Sequence, residues 1–140
     1  YDNIIAGSEV RYVCDRTQQI LAHSTAAIVT SGTATLETAL MGIPEVVMYH
    51  VPWLYEKLKP YFLRIPYISL VNINLGREAV KELVCAHLDI SKAVSELRAI
   101  LPEGCERERM LRDFDQLREM IGSEGASQRF AQDIVNTLKA

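Results

Sequence analysis

Ala26-Ala27-Ile28-Val29-Thr30-Ser31-Gly32-Thr33-Ala34-Thr35-Leu36-Glu37 changes its periodicity in the middle. Residues 26–30 are an apolar run too short for a helix, which reads as a buried strand. Ser31-Gly32-Thr33 is a small turn, and from Thr35 to Met41 the spacing becomes helical, with Leu36 and Leu40 four apart. Gly42 is a natural residue just past the end of that helix, and Pro44 prevents its continuation. Glu45-Val46-Val47-Met48-Tyr49 then reads as another strand. Working outward, Val10-Arg11-Tyr12-Val13-Cys14 is short and β-rich, so a strand is expected there. Asp15 is placed to cap a helix over 17–23, with Ile20 and Leu21 facing inward. Strand–helix–strand–helix–strand, with near-continuous apolar strands, predicts an α/β fold: a Rossmann-like parallel sheet flanked by helices.

Beyond residue 50 the pattern changes. The segment 53–64 mixes Trp53, Leu54, Tyr55, Leu58, Tyr61 and Phe62 with Lys57, Lys59 and Arg64, and Pro60 should end or kink any helix in it. Residues 65–75 read as mostly extended or loop, and 78–84 as helical. A helix is expected from Asp89 to Leu101, broken by Pro102 and Gly104. A strongly charged helix follows over 106–121, with Met110, Leu111, Phe114, Leu117 and Ile121 on one side. Ala126, Phe130, Ile134, Val135 and Leu138 make the apolar stripe of a last helix. The expected organisation is a partial Rossmann-like unit over 1–101 and a helical tail over 102–140. Because such a stripe must be covered, the tail is expected to pack on its own sheet or on the missing N-terminal domain, or to self-associate through Phe130 and Leu138, as in a homodimer, the last being favoured.

Bulk properties narrow the function classes. The 140 residues include 15 Lys and Arg against 18 Asp and Glu, a net charge of −3. That leaves no basic surplus to neutralise nucleic-acid phosphates. Cys14, Cys85 and Cys105 are odd in number and widely spaced, which suggests a reducing compartment rather than a disulfide framework. His23, His50 and His87 do not combine with them at zinc-site spacing, so no metal is expected. No apolar run reaches the roughly 18 residues that a membrane-spanning helix needs. The sequence opens Tyr1-Asp2-Asn3 without a Met, and is expected to be a piece of a longer protein cut on its N-terminal side.

The turn after the first buried strand carries the chemistry. Free amides at a helix start, together with the positive end of the helix dipole, make an anion site. Gly32 has no Cβ, so a phosphate can approach the backbone, while Ser31 and Thr33 add hydroxyl donors. Glu37 lies about one turn into the helix, where its carboxylate can accept hydrogen bonds from a ribose diol. The same residues also suit a plain helix cap. The motif lacks the lysine of a Walker A loop and the glycine triplet of a dinucleotide loop.

Three stretches together resemble the C-terminal domain of lipid-A-disaccharide synthases. They are residues 17–22 with 27–40 and 42–49, then Tyr67-Ile68-Ser69-Leu70-Val71-Asn72, then Gly76-Arg77-Glu78-Ala79-Val80-Lys81-Glu82-Leu83. Lys81 and Cys85 depart from the family pattern. The resemblance implies the C-terminal half of a GT-B fold, with a UDP-sugar in a cleft between two Rossmann-like domains. It implies a hexosyltransferase that moves 2,3-diacylglucosamine from its UDP derivative onto a lipid monosaccharide phosphate. The product is a β-1,6-linked disaccharide, and UDP leaves.

The resemblance assigns UDP binding to Ser31, Gly32, Thr33 and Glu37, with Asn72, Arg77 and Glu82 lining or bracing the cleft. Arg77 has two readings: a partner for the diphosphate, or a structural ion pair with Glu78 or Glu82. The catalytic base is expected on the other domain, so this piece should bind without turning over, and no cofactor is expected. Trp53, Tyr55, Lys57 and Phe62 are candidates for contact with acyl chains or a membrane surface, against a plain packing helix with a basic edge. The implied location is cytoplasmic, peripheral at the inner membrane of a Gram-negative bacterium. Two rivals remain: another UDP-sugar GT-B transferase or epimerase, and a non-enzymatic Rossmann-like assembly domain.

Overall fold

A computed structural model describes residues 7–30, 32–52, 67–87 and 89–122. The elements run α1 (Thr17–Ala22), β1 (Ala27–Thr30), α2 (Thr33–Leu40), β2 (Glu45–His50), α3 (Leu70–Leu75), β3 (Lys81–Cys85), α4 (Ile90–Ile100) and α5 (Arg107–Ile121). The strands form one parallel sheet in the order β1-β2-β3. The fold is therefore α/β with a Rossmann-like parallel sheet flanked by helices. The register aligns Ile28 with Val46 and Met48 with Leu83. Helix α2 joins β1 to β2, α3 precedes β3, and the two helices pack on each other, as consecutive right-handed crossovers on one face require. Helix α4 packs on β2.

The β1–α2–β2 unit forms where the punctuation places it. Gly42 is left-handed at φ 76. Its amide donates to Ala39 O at 2.9 Å and that of Ile43 to Thr38 O at 3.1 Å, the two bonds of a Schellman end. Helix α5 closes the opposite end of the molecule from the β1–α2 turn. Its Met110, Phe114 and Leu117 are fully buried in one core with Ala39, Val46, Val47, Val71 and Val80. Arg118 Nε donates to Leu40 O at 2.9 Å, and Arg107 Nη1 donates to Thr25 O and Ile100 O, both at 2.9 Å. The charged helix is thus bolted to the amino ends of the strands and to the end of α2.

Several expectations are corrected. Residues 10–14 form no strand; Val10, Tyr12 and Val13 are exposed, because β-rich residues become a strand only where a ladder is available. Arg16, not Asp15, occupies the start of α1, without a side-chain cap, and Asp15 is left-handed at φ 56. Leu21 is buried but Ile20 faces out. Residues 70–75, expected as loop, are helix α3: Ser69 caps it through its hydroxyl, which accepts from Asn72 N at 3.2 Å, and Gly76 ends it in the left-handed region. Residues 81–85, expected as helix, are strand β3, because pairing with β2 overrides the local pattern in so short a run. The stripe from Ala126 to Leu138, and Trp53, Tyr55, Lys57 and Phe62, lie outside the described residues.

One buried group has no counterpart. Glu45 is fully buried at the first position of β2, and among the described residues neither carboxylate oxygen has a hydrogen-bond partner. Its amide donates to Met110 Sδ at 3.3 Å. Burial pushes its carboxyl up to about 9 from 4.5, so the folded chain holds it neutral at pH 7 while the unfolded chain ionises it. Stability from this group is therefore complete below the unfolded value and is lost as pH rises from about 4.5 towards about 9. Glu45→Met, of similar volume, should raise the urea midpoint clearly at pH 8 and little at pH 5. A gain equal at both pH values would show that Glu45 does not titrate in this way.

Candidate functional site

Every strand runs the same way, so the carboxyl ends of β1, β2 and β3 share one rim, where open α/β sheets bind ligands. At that rim β1 gives way to the start of α2. Ser31 lies outside the described residues. Gly32 follows at φ 149, ψ −162, a backbone that favours glycine. A Cβ built on it would meet nothing within 4 Å, so its conformation demands glycine while the space before it stays open.

Thr35 is buried, and its hydroxyl donates to Gly32 O at 2.8 Å alongside the Thr35 amide at 3.2 Å. The turn's carbonyl is thereby held towards the helix. Of the first-turn amides of α2, that of Thr35 is taken up by Gly32 O, while those of Thr33 and Ala34 have no intrahelical acceptor, and no side chain caps the helix start. Thr33 is exposed beside them. The arrangement offers donors, not acceptors, to an incoming group.

Glu37 stands half-buried one turn further on, on the wall between two grooves. One, of about 430 Å³, is lined by Asp15, Arg16, Thr17, Gln18, Gln19 and Glu37. The other, of about 570 Å³, is lined by Gln18, Thr33, Leu36, Glu37, Leu40 and Met41. Among the described residues Glu37 forms no ion pair, so its carboxylate is available to a ligand in either groove. The α1 segment from Asp15 to Gln18 was not singled out by sequence reasoning. Its one signal was the polar run ahead of the strand, which read as a helix cap. No group of His, Cys, Asp and Glu among the described residues could hold a metal ion.

The remaining candidates do not converge on the turn. Asn72 is fully buried. Its Oδ1 accepts from Ala79 N at 2.7 Å and Val80 N at 2.9 Å, and its Nδ2 donates to Val80 O and Glu82 Oε1, both at 2.8 Å. Glu82 also accepts from Ile68 N at 3.0 Å and Ser69 N at 2.9 Å. These two residues lock α3 onto β3. Ala79 and Val80 lie just before β3 and Glu82 is its second residue, so the pair fixes the chain's entry into β3, at the amino ends of the strands.

Arg77 precedes β3, at the opposite end of the sheet from Gly32. Its Nη2 pairs with Asp113 Oδ1 at 2.7 Å and donates to Gln116 Oε1 at 2.6 Å. Arg109 completes the cluster through Asp113 Oδ2 at 3.0 Å. An ion pair does hold Arg77, but with Asp113 on α5 rather than with Glu78 or Glu82.

The chain resembles proteins of known name. A family model described as lipid-A-disaccharide synthetase matches residues 8–134. A lipid-A-disaccharide synthase of Anaeromyxobacter dehalogenans is 34% identical over 131 residues, covering 94% of this chain and 34% of that protein. The Myxococcus xanthus protein of the same name is 33% identical over 123 residues, covering 88% of this chain and 32% of its own length. That of Geobacter sulfurreducens is 29% identical over 133 residues, covering 95% and 35%. The chain spans about a third of the length of the relatives it matches.

Asn72→Ala would remove the acceptor of the buried Val80 amide and the donor to Val80 O, and leave Ala79 N with only its bond to Arg77 O at 3.0 Å. It should cost about 3 kcal/mol or more of stability, read by urea denaturation. A loss of well under about 1 kcal/mol would show that the brace is replaceable.

Proposed function

The chain belongs to the lipid-A-disaccharide synthetase family, and on that footing we propose that it is the nucleotide-sugar-binding part of a glycosyltransferase. The reaction is transfer of 2,3-diacylglucosamine from its UDP derivative to a diacylglucosamine 1-phosphate acceptor. It forms the β-1,6 disaccharide of lipid A and releases UDP. The observation that carries this reading is the turn at Gly32, open in front and without a side-chain cap at the start of α2, with Glu37 on a groove wall one helical turn away.

In this reading the diphosphate lies against the amides of the Ser31–Gly32–Thr33 turn, and Glu37 accepts from the ribose hydroxyls. The nucleoside occupies the polar groove of Asp15 to Gln19, the smaller of the two flanking Glu37. As the sugar–phosphate bond breaks, charge collects on the departing β-phosphate. Preorganised amides and the helix dipole of α2 stabilise it there without reorganisation. Asn72 and Glu82 serve by locking α3 to the entry of β3, and the ion-paired Arg77 by fixing α5 at the amino ends of the strands. The proton leaving the acceptor hydroxyl goes to a base outside this chain's described residues.

The proposed organisation keeps residues 1–101 as the partial UDP-sugar domain and 102–140 as a helical extension. Among the described residues no helix is long and apolar enough to cross a membrane. The substrates are acylated, and the composition around Trp53, Tyr55, Lys57 and Phe62 suits contact with acyl chains or anionic head groups. A peripheral place on the cytoplasmic side of a bacterial inner membrane follows from the same reading.

Calorimetry with UDP on the full-length protein tests the assignment. Glu37→Ala should weaken binding by about 1.5–3 kcal/mol, roughly tenfold to over a hundredfold in Kd. Gly32→Val should abolish binding and turnover while leaving the unfolding free energy within about 2 kcal/mol of the parent. UDP affinity unchanged by both substitutions would move the nucleotide away from this turn. A panel of UDP-sugars on the same protein separates the diacylglucosamine donor from those of other transferases.

A further inference from the structure

Of the two grooves that meet at Glu37, the nucleoside accounts for the smaller. The larger, of about 570 Å³, has the size of a small-molecule cleft. It follows one side of α2, because Thr33, Leu36, Glu37 and Leu40 are spaced three and four apart and share a helix face. One end is Thr33, the first residue of the helix after the Gly32 turn, and the other is Met41, the residue that follows the helix. The 8 residues of α2 rise roughly 12 Å between these ends.

The two grooves differ in chemistry. Gln18 and Glu37 line both and form the wall between them. On its far side the smaller groove is polar throughout, with Asp15, Arg16, Thr17 and Gln19. Beyond the shared wall and Thr33, the larger is lined by Leu36, Leu40 and Met41 alone. Leu40 is 37% exposed, so apolar surface remains for a ligand to cover. A nucleoside, a hexose or a diphosphate leaves such a floor unused, because none of them presents a long apolar surface.

We propose that this groove takes an acyl chain of the nucleotide-sugar donor, laid along α2 from the Gly32 turn towards Met41. The proposal rests on the UDP reading of that turn and adds a second subsite to it. Continuity chooses the occupant: the groove shares Gln18 and Glu37 with the nucleoside groove and opens at Thr33, beside the turn that faces the diphosphate. The donor's sugar is joined to the β-phosphate, and its acyl groups leave the ring a few bonds away. A hydrocarbon chain needs no hydrogen-bond partner, and the floor of Leu36, Leu40 and Met41 offers none. Each methylene buried there is worth up to about fourfold in affinity. A protein segment in the same place would set backbone amides and carbonyls against apolar side chains, unmet.

Calorimetry on the full-length protein tests the groove, with UDP and with UDP-2,3-diacylglucosamine whose acyl chains are lengthened stepwise from butyryl. In the parent, affinity should rise with chain length up to a limit. Leu40→Gln should weaken the long-chain donor at least about fivefold and flatten that rise, while UDP stays within about twofold of the parent. Leu40→Trp, which fills the groove and keeps it apolar, should lower the chain length at which affinity stops rising. A long-chain donor bound equally by the parent and both variants would overturn the proposal and leave the UDP reading standing. UDP and the long-chain donor weakened by the same factor would overturn it as well, because Leu40 would then serve the nucleoside or the fold. Failure of the UDP reading shows separately: a Glu37→Ala protein with unchanged UDP affinity would remove both, whatever Leu40 does.

Discussion

A parallel ladder obliges the chain to leave each strand at one rim and return to the other before it can pair again. That constraint organises the molecule. The carboxyl ends of β1, β2 and β3 collect on one rim, where the chain enters α2 through a glycine turn with open space before it. The amino ends collect on the other, and there α5 seals the core with Met110, Phe114 and Leu117. The ionic cluster of Arg77, Arg109 and Asp113 belongs to the sealed rim. Exposed cationic pairs of this kind contribute little individually, but here both arginines converge on one buried Asp113, which could not be buried without them.

Three glutamates show how environment assigns different work to one side chain. Glu82 is half-buried and saturated: it accepts from two backbone amides and the Asn72 amide, which makes it a structural clamp. Glu45 is buried with nothing to bond, so burial drives its carboxyl to about 9 and it enters the core as a neutral group. Glu37 is half-buried beside two grooves, with no ion pair among the described residues. Of the three, it alone is both reachable and uncommitted, which a ligand-facing carboxylate has to be.

The part of the fold legible in the sequence is the part with local punctuation. Gly42 and Pro44 mark where α2 must stop, and the apolar runs on either side are strands; β2 is buried over its first half, while β1, expected buried, has Ile28 and Thr30 exposed. Asp89 and Glu106 likewise stand at the starts of α4 and α5. What could not be read depends on partners distant in sequence. Lys81–Cys85 carries too few residues to show a period, and Val47 and Met48 across the ladder make it a strand. The counter-ion of Arg77 was sought among its neighbours, but Asp113 lies 36 positions away. The Gly32 turn and Glu37 are legible because their spacing is local. The groove from Asp15 to Gln19 is not, because only the packing of α1 beside α2 brings it to Glu37.

The separation of the two rims also bears on how binding and stability trade against each other. The start of α2 is left without a side-chain cap, and Gly32 forgoes a side chain that would restrict its unfolded states. A small three-stranded sheet has little stability to spare for this. The structure concentrates its fixed contacts elsewhere, in the Asn72–Glu82 lock, the Schellman end at Gly42 and the arginine anchors of α5. Arg118 lies so close to Gly42 that an added Cβ would stand 2.7 Å from Nη2, which ties the end of α2 to α5 and leaves its start free. A helix anchored at its carboxyl end and open at its amino end keeps its dipole and first-turn amides aimed at one place. Rigidity at one rim is therefore what allows preorganised donors at the other.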